Sequence, residues 1–260
     1  MSKRILAHLT RTDPVLGRVI RAAGPLRIEV RDHEPFEALA QAIAHQQLNG
    51  TAANTILKRL VAACGKNAFP TPQAILDAST ATVRAAGFSF AKVAALKDLA
   101  SKTLAAVVPD RRTLATLDDA AIIERLTQVR GVGRWTVEML LMFQLGRPDV
   151  LPVDDFGVRS GFRAAYGLRK LPRPQVLAAW GERWRPYRST AAWYLWRALE
   201  LERAGQLPPP AQRVRLPRVR PRRRRVTSGA SSSAPPRRSG GRSGSRRRRA
   251  PRSRAPGSRR

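Results

Sequence analysis

Residues 126–135 read LTQVRGVGRW. An apolar-periodic run ends at Val129, two glycines bracket Val132, and an aromatic follows at Trp135. The preceding LDDAAIIERLTQV has helical spacing with Asp118 as its cap. The following RWTVEMLLMFQLG is apolar on nearly every side, as a buried helix is, and Gly146 and Pro148 end it. The stretch therefore predicts helix, tight turn, helix. Glycine admits the positive φ such a turn needs and lets a second backbone come close. The amides of Val132, Gly133 and Arg134 then fall at a helix N-terminus, where free N–H groups and the helix dipole favour an anion. A DNA phosphate is such an anion, bound without regard to base sequence. A plain helix–helix connection with a glycine cap is the other reading of the same residues.

The charge of the chain tips that balance toward phosphate. The formal net charge is +31 over 260 residues, a field that attracts polyanions, nucleic acid first and an acidic membrane surface second. It is unevenly spread. Ala204 to Arg260 holds 19 arginines, no lysine and no acid, which leaves +12 for residues 1–203. From Leu207 on the composition is Arg, Pro, Ser and Gly, too poor in aliphatic residues to offset the entropy of ordering, so 207–260 is expected to be disordered. The single cysteine, Cys64, excludes an internal disulfide and a cysteine-held iron–sulfur cluster, and fits a reducing compartment. The opening MSKRILAHLTRTDPVLG has neither a signal-peptide pattern nor a membrane span, so a cytoplasmic, nucleoid-associated protein with no membrane partner is expected. His45 has no His or Cys at ligand spacing, and no metal site is expected.

The ordered part reads as helical throughout. EPFEALAQAIAHQQL places Pro35 in a first turn, with Phe36, Leu39 and Ile43 at helical spacing. TAANTILKRLVAACG sets Ile56, Leu57, Leu60 and Val61 on one face and stops at Gly65. TPQAILDAS has Thr71 as N-cap and Pro72 at N1. TATVRAAG ends at Gly87, and AKVAALKDLASKTLAAV at Pro109. The one weak strand candidate is LRIEV at 26–30, which also suits an extended linker.

With VRGVGRWT followed by LPVDDFGVR at 151–159, the chain resembles the helix-hairpin-helix DNA glycosylases, and within them the DNA-3-methyladenine glycosylase II branch. PFEALAQAIAHQQLNGTAA (35–53), GFSFAKVAALKDLA (87–100) and WRPYRSTAAWYLWR (184–197) resemble that branch in the same order. The likeness runs from about Asp13 to Leu201. It implies an all-α fold of two helical subdomains with a cleft between them. Residues 32–147 would form one subdomain, ending in the hairpin. Residues 148–206, with the N-terminal arm 1–31 packed against them, would form the other and carry the catalytic aspartate. The longest members bear a sheet domain before the helical core; EPFEAL begins at residue 34, so that domain is expected to be absent.

The resemblance also implies a chemistry. Breaking an N-glycosidic bond builds positive charge on the deoxyribose, which a preplaced carboxylate stabilises while orienting or deprotonating water. Asp155, 20 residues after Trp135, matches the catalytic aspartate of the branch. Asp154 matches the single aspartate of other members, so the pair stays open, with one expected to cap a helix and the other to face the cleft. Members that also cut the strand carry a Schiff-base lysine where this chain has Trp135, which implies base removal only. Trp135, Phe156 and Trp196 match base-contacting positions; an electron-rich indole suits a cationic alkylated purine. Trp184 and Trp193 serve core or pocket equally well. Met139 stands where one relative has an aromatic. The side chain that fills the hole left by the extruded base is Gln47 by register or Leu48 by chemistry. Arg188 is expected to form a salt bridge inside the cleft.

The sequence thus leads to a monomeric, cofactor-independent glycosylase acting on alkylated purines of double-stranded DNA in base excision repair. The alternatives are a same-fold glycosylase for oxidised, deaminated or mismatched bases, and a non-catalytic DNA-binding protein. The arginine tail would add salt-sensitive, non-specific DNA affinity, or be a solvated extension.

Overall fold

The computed structural model describes residues 2–26, 28–65, 68–209 and 216–217. The expected disordered tail lies outside the described residues, apart from 207–209 and 216–217. Every regular element among the described residues is helical: α1 (Ser2–Thr12), α2 (Pro14–Ala23), α3 (Pro35–His45), α4 (Gly50–Cys64), α5 (Pro72–Asp77), α6 (Thr80–Ala85), α7 (Phe90–Leu104), α8 (Arg111–Thr116), α9 (Asp119–Leu126), α10 (Arg134–Phe143), α11 (Phe156–Ala165), α12 (Pro174–Gly181) and α13 (Arg188–Arg203), with a 3₁₀ turn at Glu182–Trp184. None of these helices is long and apolar enough to cross a membrane.

Local chemistry sets most of the starts. Asn49, Thr71, Ser79, Ser89, Asp110 and Asp118 each accept a backbone N–H from the first turn of the helix they precede. Each such cap satisfies one of the N–H groups that a helix start leaves without a partner. Among its described residues, the weak strand candidate at 26–30 makes no ladder. Those residues have no regular secondary structure, and the next residue, Arg31, donates its amide to the Phe143 carbonyl at the end of α10 (2.8 Å).

Helices α3 to α10 pack around one another, with α7 against α3 and α5, and α10 against α9 and α3. Helix α13 packs along α11, and the two N-terminal helices join that side, α2 on α13 and α11, α1 on the 3₁₀ turn. One buried carboxylate fastens this second group. Asp13 is the N-cap of α2, accepting from the Val15 and Leu16 amides. Its other oxygen accepts from the Tyr166 hydroxyl and from the indoles of Trp180 and Trp184, both at 3.0 Å. Trp184, equally open to core and pocket in the sequence, is therefore core. Burial, with the Asp13 carboxylate beside it, drives the Tyr166 hydroxyl well above its ordinary pKa.

Candidate active site

The predicted bend is built by Gly131, whose φ is +77°, and by Gly133, which caps α10 without a side chain. Two contacts from outside hold it. Gln46 donates from Nε2 to the Gly131 carbonyl (2.8 Å), and the Arg130 amide donates to Asp98 of α7 (2.7 Å). Burial pushes the Asp98 carboxyl up, but the Arg130 amide and the Lys102 ammonium outweigh it and hold it below its ordinary value.

The hairpin offers fewer free amides than expected. The Val132 side chain is buried, and its amide closes the turn on the Val129 carbonyl (3.0 Å). Only the Gly133 and Arg134 amides of the expected three are without an acceptor among the described residues. Arg134 is exposed and pairs one turn along α10 with Glu138 (2.9 Å), which is only 3% exposed.

Twenty residues beyond Trp135, Asp155 is the N-cap of α11. Its Oδ1 accepts from the Val158 amide (2.6 Å) and from the Trp196 indole (2.9 Å), and its Oδ2 accepts from the Trp135 indole (2.7 Å). Of the two aspartates, Asp155 is the one that caps α11, and it is also the one that the two indoles hold. Asp154 is exposed and caps nothing. Three donors from three elements leave the Asp155 carboxylate a single orientation. Gly157 makes room for this: a Cβ there would lie 2.7 Å from the Trp196 ring and 3.1 Å from Asp155 Oδ1. The sequence alone gives no sign of this role for Gly157, which depends on an indole 39 residues downstream.

Trp135 is 48% exposed, although the rest of α10 is largely buried. It lines a cavity of about 610 Å³ with Gln46, Gln47, Lys92, Thr136 and Met139. A second cavity of about 640 Å³ shares Ala42, His45, Thr136 and Met139 with the first and reaches Phe143 and Gln144. Phe143 stacks on Trp196, the ring centroids 6.0 Å apart. Phe156 lines neither cavity and is 65% exposed at the start of α11.

The turn after α3 is shaped by Lys92, whose ammonium donates to the Ala44 and Gln46 carbonyls (2.8 and 2.7 Å). Burial lowers the pKa of this amine. Gln47 sits in the left-handed region at φ +57°, a conformation costing a non-glycine residue roughly 1–3 kcal/mol and retained mostly at functional positions. Leu48 beside it is an exposed apolar residue. Arg188 does form salt bridges, but with Asp149 and Glu182 at the start of α13, not with Asp155 or its two tryptophans. Among the described residues no three His, Cys, Asp or Glu side chains converge as a metal site.

A family model described as the HhH-GPD superfamily base excision DNA repair protein matches residues 40–186. DNA-3-methyladenine glycosylase 1 of Schizosaccharomyces pombe is 40% identical over 75% of this chain and 86% of its own length. A putative DNA-3-methyladenine glycosylase of Bacillus subtilis is 32% identical over 76% and 69%. The solved 3-methyladenine DNA glycosylase of S. pombe, in complex with abasic DNA, superposes with a TM-score of 0.67 at 39% identity, covering 75% of this chain and 95% of that one. A DNA-3-methyladenine glycosidase from Bacillus halodurans gives a TM-score of 0.71 at 30% identity, over 77% and 91%. The chain belongs to the HhH-GPD superfamily of base excision DNA repair proteins, in the branch of the DNA-3-methyladenine glycosylases.

Proposed function

We propose that this protein is a DNA glycosylase that hydrolyses the N-glycosidic bond of alkylated purines in duplex DNA and leaves the strand intact. The observation that carries the reading is the Asp155 carboxylate held between the Trp135 and Trp196 indoles, with Trp135 also lining one of two neighbouring cavities. As the base departs, positive charge grows on the deoxyribose. A carboxylate already fixed in place stabilises it without reorganising, and can take the proton of an attacking water. Alkylated purines carrying a positive charge leave readily, so the base needs stacking more than protonation. Trp135 and Trp196 supply indole faces for it, and Phe156 an exposed ring at the cleft edge.

The hairpin would hold a DNA phosphate through the Gly133 and Arg134 amides, with Gly131 shaping the turn. Gln47 and Leu48, exposed on a backbone braced by Lys92, would fill the vacated place in the duplex. Strand cutting by an amine needs a free lysine in the cleft. Trp135 stands at the lysine position of the strand-cutting members, and the ammonium of Lys92, in the same cavity, is engaged with two carbonyls. This supports base removal alone.

The test is base release from methylated duplex DNA by the parent chain and by Asp155→Asn. The variant should lose release by about 100-fold or more, the size seen for removal of a preorganised electrostatic partner, while still binding an abasic-site duplex. Release at the parent rate removes Asp155 from the catalytic role. Release only from oxidised, deaminated or mismatched duplexes changes the substrate class. A protein–DNA adduct trapped by borohydride rules out the strand-sparing reading.

A further inference from the structure

Two turns that the proposed reading sets on DNA are tied to one helix and to each other. The turn after α3 carries Gln47 in the left-handed region at φ +57° and the exposed Leu48. The hairpin before α10 carries the Gly133 and Arg134 amides, which have no acceptor among the described residues. Helix α7 holds both turns. Its Lys92 ammonium donates to the Ala44 and Gln46 carbonyls, and further along the helix Asp98 accepts the Arg130 amide. Gln46 closes the triangle. Its carbonyl is fixed by Lys92 (2.7 Å), and its Nε2 donates to the Gly131 carbonyl (2.8 Å), 85 residues away in the chain. The residue directly before the left-handed Gln47 is thus pinned at backbone and side chain alike. On the other side the Leu48 amide returns to the His45 carbonyl (3.2 Å).

We infer that Gln46 is a positioning residue that couples the two turns, so that a strand held at the hairpin meets Gln47 and Leu48 already aimed at the place the extruded base leaves. This rests on the proposed glycosylase reading of the site. Extruding a base costs its pairing and stacking, and a side chain that fills the gap offsets part of that cost. A wedge on a loose turn loses some of the gain, because the turn must be ordered as it enters the duplex. A wedge fixed beforehand relative to the phosphate contact keeps it. The tie matters more here than at an ordinary turn, because a glutamine in the left-handed region relaxes toward commoner conformations once its neighbour is released. Gln46 acts through Gln47 and Leu48 rather than on the lesion itself. The hairpin amides do not depend on it alone, since Asp98 holds Arg130 from the other side.

The experiment compares the parent chain with Gln46→Met, which keeps length and apolar contact but donates nothing to Gly131. Single-turnover release at saturating protein is measured on a duplex with one 7-methylguanine opposite cytosine, and on the same duplex with thymine opposite it. Affinity for an undamaged duplex is measured alongside. Release from the matched pair should fall about fivefold, the middle of the range for one net hydrogen bond. Release from the mismatched pair should stay within about twofold of the parent, because a mismatched base costs less to extrude. Affinity for the undamaged duplex, which phosphate contacts set, should also stay within about twofold. Gln46→Ala should show the same pattern, and carries the test if thermal unfolding finds the Met variant misfolded. A loss of equal size in both pairs, a loss that appears in the undamaged affinity, or no loss at all overturns the inference. A parent chain that releases no methylated base from either duplex instead defeats the glycosylase reading itself, and the coupling falls with it.

Discussion

Glu138 places a third carboxylate close to Asp154 and Asp155, and its environment works against its charge. Burial pushes its carboxyl above the ordinary value, the Arg134 guanidinium opposes this, and the two aspartates add to the rise. Because the folded-state pKa is raised, Glu138 stabilises the fold most fully below its ordinary value of 4.5. That contribution is lost as the pH rises through the raised value. Gln in its place does not titrate. The difference in melting temperature between the parent and Glu138→Gln should therefore move in favour of the variant as the pH increases above 4.5. A difference that stays flat over that range contradicts the raised carboxyl. Nothing in the sequence pointed to Glu138, since an acid one turn after Arg134 is an ordinary surface pair. Burial, which only the packed structure supplies, changes its meaning. Asp155 was legible through its spacing from the hairpin and the likeness to a family. The grip of two indoles was not, because Trp196 lies 41 residues away on a different helix.

Helices α11 and α13 meet at a distance that only glycine allows. A Cβ on Gly161 would lie 1.7 Å from the Leu195 carbonyl oxygen, a backbone atom with nowhere to retreat. The contact fixes more than a core, because Asp155 caps α11 and α13 carries Trp196 directly after Leu195. Gly161→Ala should force the two helices apart at a cost of about 3 kcal/mol or more, the upper end of overpacking, and depress base release with it. Urea unfolding together with release from methylated DNA tests this; a variant of parental stability would mean that the helices slide without penalty. Such element pairs escape a sequence reading, as the short helices α8 and α12 did, whereas several other single elements did not. Thr71, Pro72, Asp118 and Gly131 all marked their helix ends or turns, because caps and positive-φ turns are local chemistry. The two N-terminal helices were read only as an arm, although Asp13 followed by Pro14 carries the same cap signal as Thr71 followed by Pro72. What secures Asp13, a hydroxyl and two indoles more than 150 residues away, is invisible at that range.

Over the whole molecule, charge divides into a part that positions and a part that attracts. In the proposed reading the folded region would position DNA through a few defined donors at the hairpin, while 17 arginines lie beyond Pro217 with no acid among them. Cations on a chain segment contribute to DNA affinity by releasing counterions. For duplex DNA the slope of log K against log salt is about −0.9 per phosphate neutralised. A chain ending at Pro217 keeps Leu207 and Leu216, which pack against the core, and removes only that block of charge. Against an undamaged duplex it should bind more weakly at low salt and with a shallower slope, the two chains converging as salt rises. Its single-turnover release from saturating methylated DNA should match that of the full chain, because the groups around Asp155 are untouched. Parallel slopes would mean that the arginines stay off the DNA. A loss of release at saturation would mean that the tail takes part in the cleft itself, which its composition gives no reason to expect. The comparison separates finding the lesion, a long-range electrostatic property, from removing it, which the proposed site assigns to a carboxylate and the side chains packed around it.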